Sequence, residues 1–421
     1  MKKVIVLGLI LTMTLSLAAC GNKEKNADKS DGKKVLNVWS TTEEIEKFEV
    51  GFEEKYPELD IKIQVLSNDD YLTKLTNTVK SGQNAPDVFT AESDYVKKLV
   101  ETDFMEDLSQ SPYNFDNSSA GLWDYIVEVG TDSNGAIKAL SWQAAPGGFI
   151  YRTDLAEQIL GIKTPEEMSA LLQAEGGMKK TAEELAQNDI KMFASWQDLL
   201  NMEFSNRETA WVEDGKLMID PNMEVFMDFA KECEENKYAL NTVPWDGEWI
   251  AAVNDDTCFG YMLPTWGYQY VVKANAEATS GQWGLAMTPT SYVKGGTWMG
   301  IYSGSEEKED AWKFIEYVNL NKEAQKEYAQ ETSEYMSLKE VDMELASESG
   351  DEMLGGQNLY EFYNLQMEQE VPDLITEYDG TINEHFLAAT KMYTEGKSSK
   401  EEAIQQFKDD VKNAYPDLAV E

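Results

Sequence analysis

The sequence predicts an α/β protein with parallel strand pairing and two lobes, and three observations carry that prediction. Between Val35 and Thr90, segments of strand period and helix period alternate one for one, which implies parallel strands joined by right-handed crossovers. The stretch from about Val35 to Glu421 is longer than a single simple core accommodates. Finally, two strand-like runs are interrupted by Pro146-Gly147-Gly148 and by Gly295-Gly296, punctuation suited to carrying the chain from one lobe to another.

The elements follow in order. Val35 to Trp39 is a strand, and Thr42 caps a helix that presents Ile45, Phe48 and Phe52 on one face. That helix stops at Tyr56-Pro57, because the residue before a proline avoids the helical region. Ile61, Ile63 and Val65 alternate with polar residues at the strand period. Tyr71, Leu72, Leu75 and Val79 return to helical spacing up to Ser81-Gly82, and Asp87 to Thr90 forms a third strand. Thr164-Pro165-Glu166-Glu167 combines a capping threonine, a first-turn proline and acids at the positive end of the helix dipole. The middle third is expected to be mostly helical, with Thr181 capping through Glu184. Further on, Ala311, Trp312, Phe314, Ile315 and Val318 form an inward helical stripe. Two C-terminal helices follow, the first running from Ile382 to Tyr393 and stopping at Gly396, the second capped at Ser399.

The N-terminal segment has a separate role. Lys2 and Lys3 precede an apolar run, Val4 to Leu17, which is shorter than the ~20 residues of a membrane-spanning helix. It leads into Leu17-Ala18-Ala19-Cys20, which resembles the lipobox of bacterial lipoproteins. Residues 1–19 are therefore expected to be a signal peptide and Cys20 the lipid-modified first residue of the mature protein. The polar stretch to Lys34 cannot bury enough surface to fold and reads as a tether.

Composition excludes several classes. A net charge of −41 repels nucleic acid and anionic lipid surfaces, so membrane contact is expected through the lipid only. One histidine, His385, and no clustered cysteines argue against a transition-metal site, and no Ser/His or Cys/His set supports a nucleophilic hydrolase. No cofactor or metal is expected; Asp132-Ser133-Asn134-Gly135 lacks the spacing of a calcium loop. Cys233 and Cys258 are compatible with either a disulfide or two buried thiols. The absence of a Gly-rich phosphate loop argues against a nucleotide.

In open α/β sheets ligands gather at the carboxyl ends of the strands, here Trp39-Ser40-Thr41-Thr42, Ser67 to Asp70, and Thr90 to Ser93. Several blocks then match a known family in order. They are Phe52-Glu53-Glu54-Lys55-Tyr56-Pro57, Ala85-Pro86-Asp87-Val88-Phe89, Tyr151-Arg152-Thr153-Asp154-Leu155 with Gly161 to Glu167, and Leu285 to Pro289 through Gly296 with Ala311 to Ile315. Together they resemble the extracellular solute-binding proteins of carbohydrate-uptake ABC importers, the group that includes maltose-binding protein. Arg152-Thr153 and Thr164-Pro165 depart from that family's usual Asn-Lys and Thr-Trp.

The resemblance implies a two-lobed, periplasmic-binding-protein-like fold with discontinuous lobes joined by hinge crossings near Ala144-Ala145, Thr297-Trp298 and Tyr335-Met336-Ser337. The expected lobes are residues 35–144 with 299–336, and 145–298 with 337–421. The implied partners are a carbohydrate and the permease subunits of an importer, and the implied protein is a monomer anchored at the outer face of a Gram-positive cell membrane. A sugar calls for aromatic platforms and hydroxyl-accepting side chains. Candidates by position are Trp39 and Ser40 at the first strand end, Asp70 and Glu92 at the next two, and Trp142, Gln143, Trp298 and Tyr335 at the crossings. Trp266 lies in Met262-Leu263-Pro264-Thr265-Trp266-Gly267, which is similar to a cleft-facing family stretch. Trp249 or Trp245 is expected to face ligand from the Pro244 to Trp249 loop, whereas Trp123, Trp211, Trp283 and Trp312 belong to the core. Two other readings stay open: a glycoside hydrolase working through paired carboxylates, and the same receptor binding a polyamine or other cation, which predicts carboxylates clustered in the cleft.

Overall fold

The computed structural model describes residues 32–348, 350–369 and 374–420; the signal peptide, Cys20 and most of the tether lie outside them. Two sheets organise the chain. The first has the strand order β2-β1-β3-β11-β4, with β1 Lys34–Ser40, β2 Leu59–Val65, β3 Val88–Glu92, β4 Leu140–Ser141 and β11 Thr297–Ile301. As the alternating pattern predicts, β1 pairs in parallel with β2 and β3, in a register that sets Val38 beside Ile63 and Val88. The strand β11 returns antiparallel to β3, bringing Thr297 opposite Glu92. The second sheet has the order β10-β5-β9-β6, from β5 Gly147–Arg152, β6 Lys191–Phe193, β9 Cys258–Pro264 and β10 Trp283–Ala286. A short hairpin, β7 Val212–Glu213 with β8 Lys216–Leu217, stands apart.

Local signals explain most of the helices around the first sheet. Thr42 accepts the Glu44 N–H at 3.2 Å, although the segment it caps opens as a 3-10 turn, Glu43–Phe48, before the α-helix Glu49–Lys55. Ile45, Phe48 and Phe52 are buried as a face. The helix Asn68–Ser81 ends on Gly82, whose φ of 65° is the left-handed cap that glycine favours. Trp312 sits at the edge of its helical stripe, only partly buried against the Tyr113 ring at 5.7 Å, while Ala311, Phe314, Ile315 and Val318 are fully buried.

Helix predominates in the middle third as expected, but the sequence pattern misses the second sheet: β5, β6 and β9 come from that third and β10 from just beyond it. Their residues are buried on both faces, so no alternation marked them. Thr181 is not the expected cap. It lies inside the helix Gly177–Ala186 and donates to the Gly177 carbonyl at 2.8 Å. Ser399, in contrast, forms a full capping box with Glu402.

The chain leaves the first sheet after Ser141, enters the second at Gly147, and returns between Ala286 and Thr297. These segments and residues 334–337 run side by side. The Ala144 N–H donates to Tyr335 O at 3.0 Å, the Ser337 N–H to Trp142 O at 3.0 Å, and the Lys294 N–H to Ala145 O at 2.9 Å. Cys233 and Cys258 are free, buried thiols.

Candidate functional site

The strand ends of the first sheet meet the second body along an acidic seam. The Ser40 hydroxyl is consumed locally: it donates to Thr42 O at 2.9 Å and accepts the Thr42 N–H. That turn leaves Thr41 free to donate to Glu92, the last residue of β3, which also accepts from Thr297 at 3.3 Å. Glu92 is pushed up to about 7 by burial, with Glu44 and Asp94 adding repulsion against the two hydroxyl donors. Glu44, in the first turn after Thr42, is raised as well, mainly by burial, while Tyr270 and Thr42 donate to it. Glu334, in the segment following the helix Lys322–Thr332, is 2% exposed and pushed up to about 8 by burial and by Glu44. Beyond Glu92, Asp94 is held below the usual carboxylate range by its ion pair with Lys294. The result is a row of carboxylates, Glu334, Glu44, Glu92 and Asp94, whose only recorded ion pair is at the Asp94 end among the described residues.

The second body supplies the opposing wall. After β9 the chain enters the turn Thr265–Gly267 and a π-helical turn, Tyr268–Lys273, a geometry often found at functional sites. Tyr270 reaches from that turn to donate to Glu44 across the seam. Trp266 is half-buried and donates its indole N–H to Lys294 O at 2.9 Å. Gly295 permits this contact: at φ +115° a Cβ there would lie 2.8 Å from the Trp266 Nε1.

Trp245 stacks on Trp266 with centroids 5.4 Å apart and planes at 26°, and touches Trp249 at 5.6 Å. It occupies the third position of the turn Val243-Pro244-Trp245-Asp246, closed by Asp246 N–H to Val243 O at 3.1 Å. Proline at the second position and φ +73° at the third describe a type II turn, whose third position normally takes glycine. A bulky residue held there stores strain, which concentrates at ligand clamps. Trp245 is 55% exposed, so the strained ring is displayed rather than packed away.

The sequence-selected residues divide accordingly. Trp142 is fully buried, its ring against Phe48 and its indole beside the Tyr328 hydroxyl; the Gln143 carbonyl oxygen is also buried and unpaired. Trp39 is 8% exposed, with the Lys74 ammonium 5.0 Å from its ring. Asp70 is exposed in the first turn of the helix Asn68–Ser81. Trp249 is buried behind Trp245 and donates to Asp198 at 2.9 Å. Trp298 lies within β11, not in a crossing; it is buried and donates to Ile126 O at 2.8 Å. Tyr335 is buried between Trp123 and Tyr363 and donates to Asn364 at 2.7 Å. Nothing local in the sequence marks Glu44, Glu334 and Tyr270, since only tertiary folding gathers them. Trp245 did carry a signal, the proline before it.

The model of the family described as bacterial extracellular solute-binding protein matches residues 50–348. The chain belongs to this family. Its fold is that of the periplasmic-binding-protein-like structures. One crystal structure of a family 1 extracellular solute-binding protein superposes with a TM-score of 0.79 at 16% identity, covering 90% of this chain and 99% of that one. The sugar-binding protein MalE of Xanthomonas citri gives 0.74 at 15% identity, covering 90% and 97%. The galacto-N-biose-/lacto-N-biose I-binding protein of the ABC transporter of Bifidobacterium longum, solved with lacto-N-biose, gives 0.73 at 14% identity, covering 93% and 99%. No curated protein sequence matches the chain. Among the described residues no helix is long and apolar enough to cross a membrane, and no cluster of His, Cys, Asp or Glu is arranged to hold a metal.

Proposed function

We propose that this family member captures an oligosaccharide in the seam between two lobes and delivers it to the permease of an ABC importer, without chemistry on the solute. The lobes are residues 35–144 with 297–336, and 145–296 with 337–421, the second boundary moved from the expected 298/299 because β11, Thr297–Ile301, lies wholly in the first sheet; the protein acts as a monomer. The observation that carries the sugar reading is the displayed Trp245 ring stacked on Trp266, on the wall that meets the carboxylate row through Tyr270–Glu44 and Lys294–Asp94. Apolar C–H faces stack on such a ledge, while Glu44, Glu92 and Gln143 accept hydroxyl protons. Trp249 and Trp298 brace the walls from behind. Structural neighbours solved with carbohydrate are consistent with this choice.

A lipid on Cys20 retains the receptor at the outer face of a membrane, and the tether to Lys34 keeps it at high effective concentration near its permease. A thermal-shift screen of purified protein against mono- and oligosaccharides tests the reading, because a ligand that binds only the folded state stabilises it. A rise in melting temperature with intact glycan recovered afterwards is the expected result. No response across a broad glycan panel, or cleavage of the glycan, refutes it.

A further inference from the structure

Beyond the Asp94 end of the seam the two bodies border a cavity of about 60 Å³, walled on one side by Ser93, Asp94 and Tyr125 and on the other by Phe204, Arg207 and Asn383. The bodies touch beside it: a Cβ on Gly380, in the helix Asp379–Thr394, would lie 2.1 Å from the Asp94 carbonyl oxygen. Arg207 is committed through two of its nitrogens. Its Nε donates to Phe204 O at 2.9 Å, its Nη2 pairs with Asp379 at 2.8 Å, and the guanidinium lies 4.9 Å from the Trp211 ring. The side chain is 2% exposed, and Nη1 has no partner among the described residues. Buried polar atoms are almost always paired, so an orphan guanidinium nitrogen on a cavity wall marks the place of a missing acceptor. Its neighbours keep capacity as well. Asn383 spends its side-chain oxygen on the Trp211 indole at 2.7 Å, and its amide NH2 donates to no described residue. Asp94 meets Lys294 through Oδ1, which leaves Oδ2 without a described partner.

Volume and donor set together fix the chemistry. One water-sized group takes about 10–15 Å³, so the cavity admits about four to six heavy atoms, an edge of a sugar and not a whole ring. A carboxylate would use donors only, and it would lie against Asp94 and Asp379, whose charges already neutralise Lys294 and Arg207. A hydroxyl both donates and accepts, which Asp94 Oδ2 answers on one side and Arg207 Nη1 with the Asn383 amide on the other. We infer that the terminal unit of the solute enters this cavity with an uncharged, hydroxyl-bearing edge, and that Arg207 is the residue that selects it. This rests on the receptor reading and deepens it to recognition of a neutral chain end. An acidic end is rejected by the two carboxylates in the wall.

The test is isothermal titration calorimetry of the full mature chain at pH 7 with five probes: maltotriose, xylotriose, mannotriose, β-1,4-galactotriose and trigalacturonic acid. A neutral trisaccharide is expected to bind at least about tenfold more tightly than trigalacturonic acid. Two variants then address the cavity separately. Arg207→Lys keeps a cation for Asp379 and loses Nη1, whereas Ser205→Leu fills the space from a half-buried lining position. Each is expected to weaken the bound trisaccharide at least about tenfold, and thermal unfolding verifies that both fold; if Arg207→Lys does not, Ser205→Leu decides alone. Unchanged affinity in Ser205→Leu overturns the cavity inference while leaving the sugar receptor standing. Unchanged affinity in a folded Arg207→Lys overturns the role of Arg207, and tightest binding of trigalacturonic acid overturns the uncharged end. Binding of none of the five refutes the receptor reading, and the inference with it.

Discussion

Trp245→Gly separates binding from stability at a single residue. A tryptophan buries about 150–250 Å² when fully covered, and Trp245 is 55% exposed, so on the order of 100 Å² is available to a solute. A sugar ring stacked on one face covers about half of that, which at about 25 cal/mol per Å² contributes about 1.3 kcal/mol, or roughly tenfold in Kd. The effect on the free protein runs the other way. Glycine at φ +73° relieves a left-handed strain of about 1–2 kcal/mol, while loss of the stacks on Trp249 and Trp266 costs about 0.5–1.5 kcal/mol each. The two largely offset, so unfolding stability should change by no more than about 2 kcal/mol as affinity falls about tenfold. Denaturant unfolding and calorimetry with the saccharide chosen by the thermal-shift screen measure the two quantities. Unchanged affinity, or a stability loss above about 3 kcal/mol, refutes the argument: the first makes the ring a bystander, the second makes it core.

Other outcomes follow from the same contacts. Asp198 is 3% exposed and pushed up to about 8 by burial, against one indole donor and a backbone contact. A folded pKa above the unfolded one gives stability that is full below the unfolded value and is lost as pH rises through the folded value. Unfolding free energy should therefore fall between pH 4 and about 8, and Asp198→Asn should remove up to about 1.4 kcal/mol per pH unit of that slope, read from urea melts. Gly295→Ala should destabilise by about 1–3 kcal/mol and weaken saccharide binding, because its Cβ would collide with Trp266 Nε1; unchanged melting and affinity would contradict the placement of Trp266. Cys20→Ser should abolish incorporation of radiolabelled palmitate and shift the protein from the membrane fraction to the medium; retention on the membrane would sink the anchor.

What was legible in the sequence was short-range. The parallel start of the first sheet followed from single helices between strands, and Thr42, Thr164 and Ser399 cap where their spacing says they should. Thr181 failed because a hydroxyl followed by acids is ambiguous: the same side chain inside a helix bonds back to the preceding turn, as it does here to Gly177. β9, Cys258–Pro264, was illegible because all seven of its residues are buried, so the period that distinguishes strand from helix is absent.

The tryptophans show where the site escaped that logic. Trp142, Trp249 and Trp298 stand out by their neighbours in sequence, yet each is fully buried. For Trp249 and Trp298 the indole N–H is satisfied inside the fold, by a carboxylate and a carbonyl distant in sequence. Whether an aromatic ring is wall or buttress depends on those partners, which no local window contains. Glu44 and Glu334 are the same problem for charge. Each reads as one more surface acid in a chain of 77 acids, and only the approach of two segments some 290 residues apart makes them a repelling pair. Trp245 is the exception. A proline followed by a bulky residue where a turn wants glycine is a local conflict, and a conflict kept on an exposed ring points to a function that outweighs its cost.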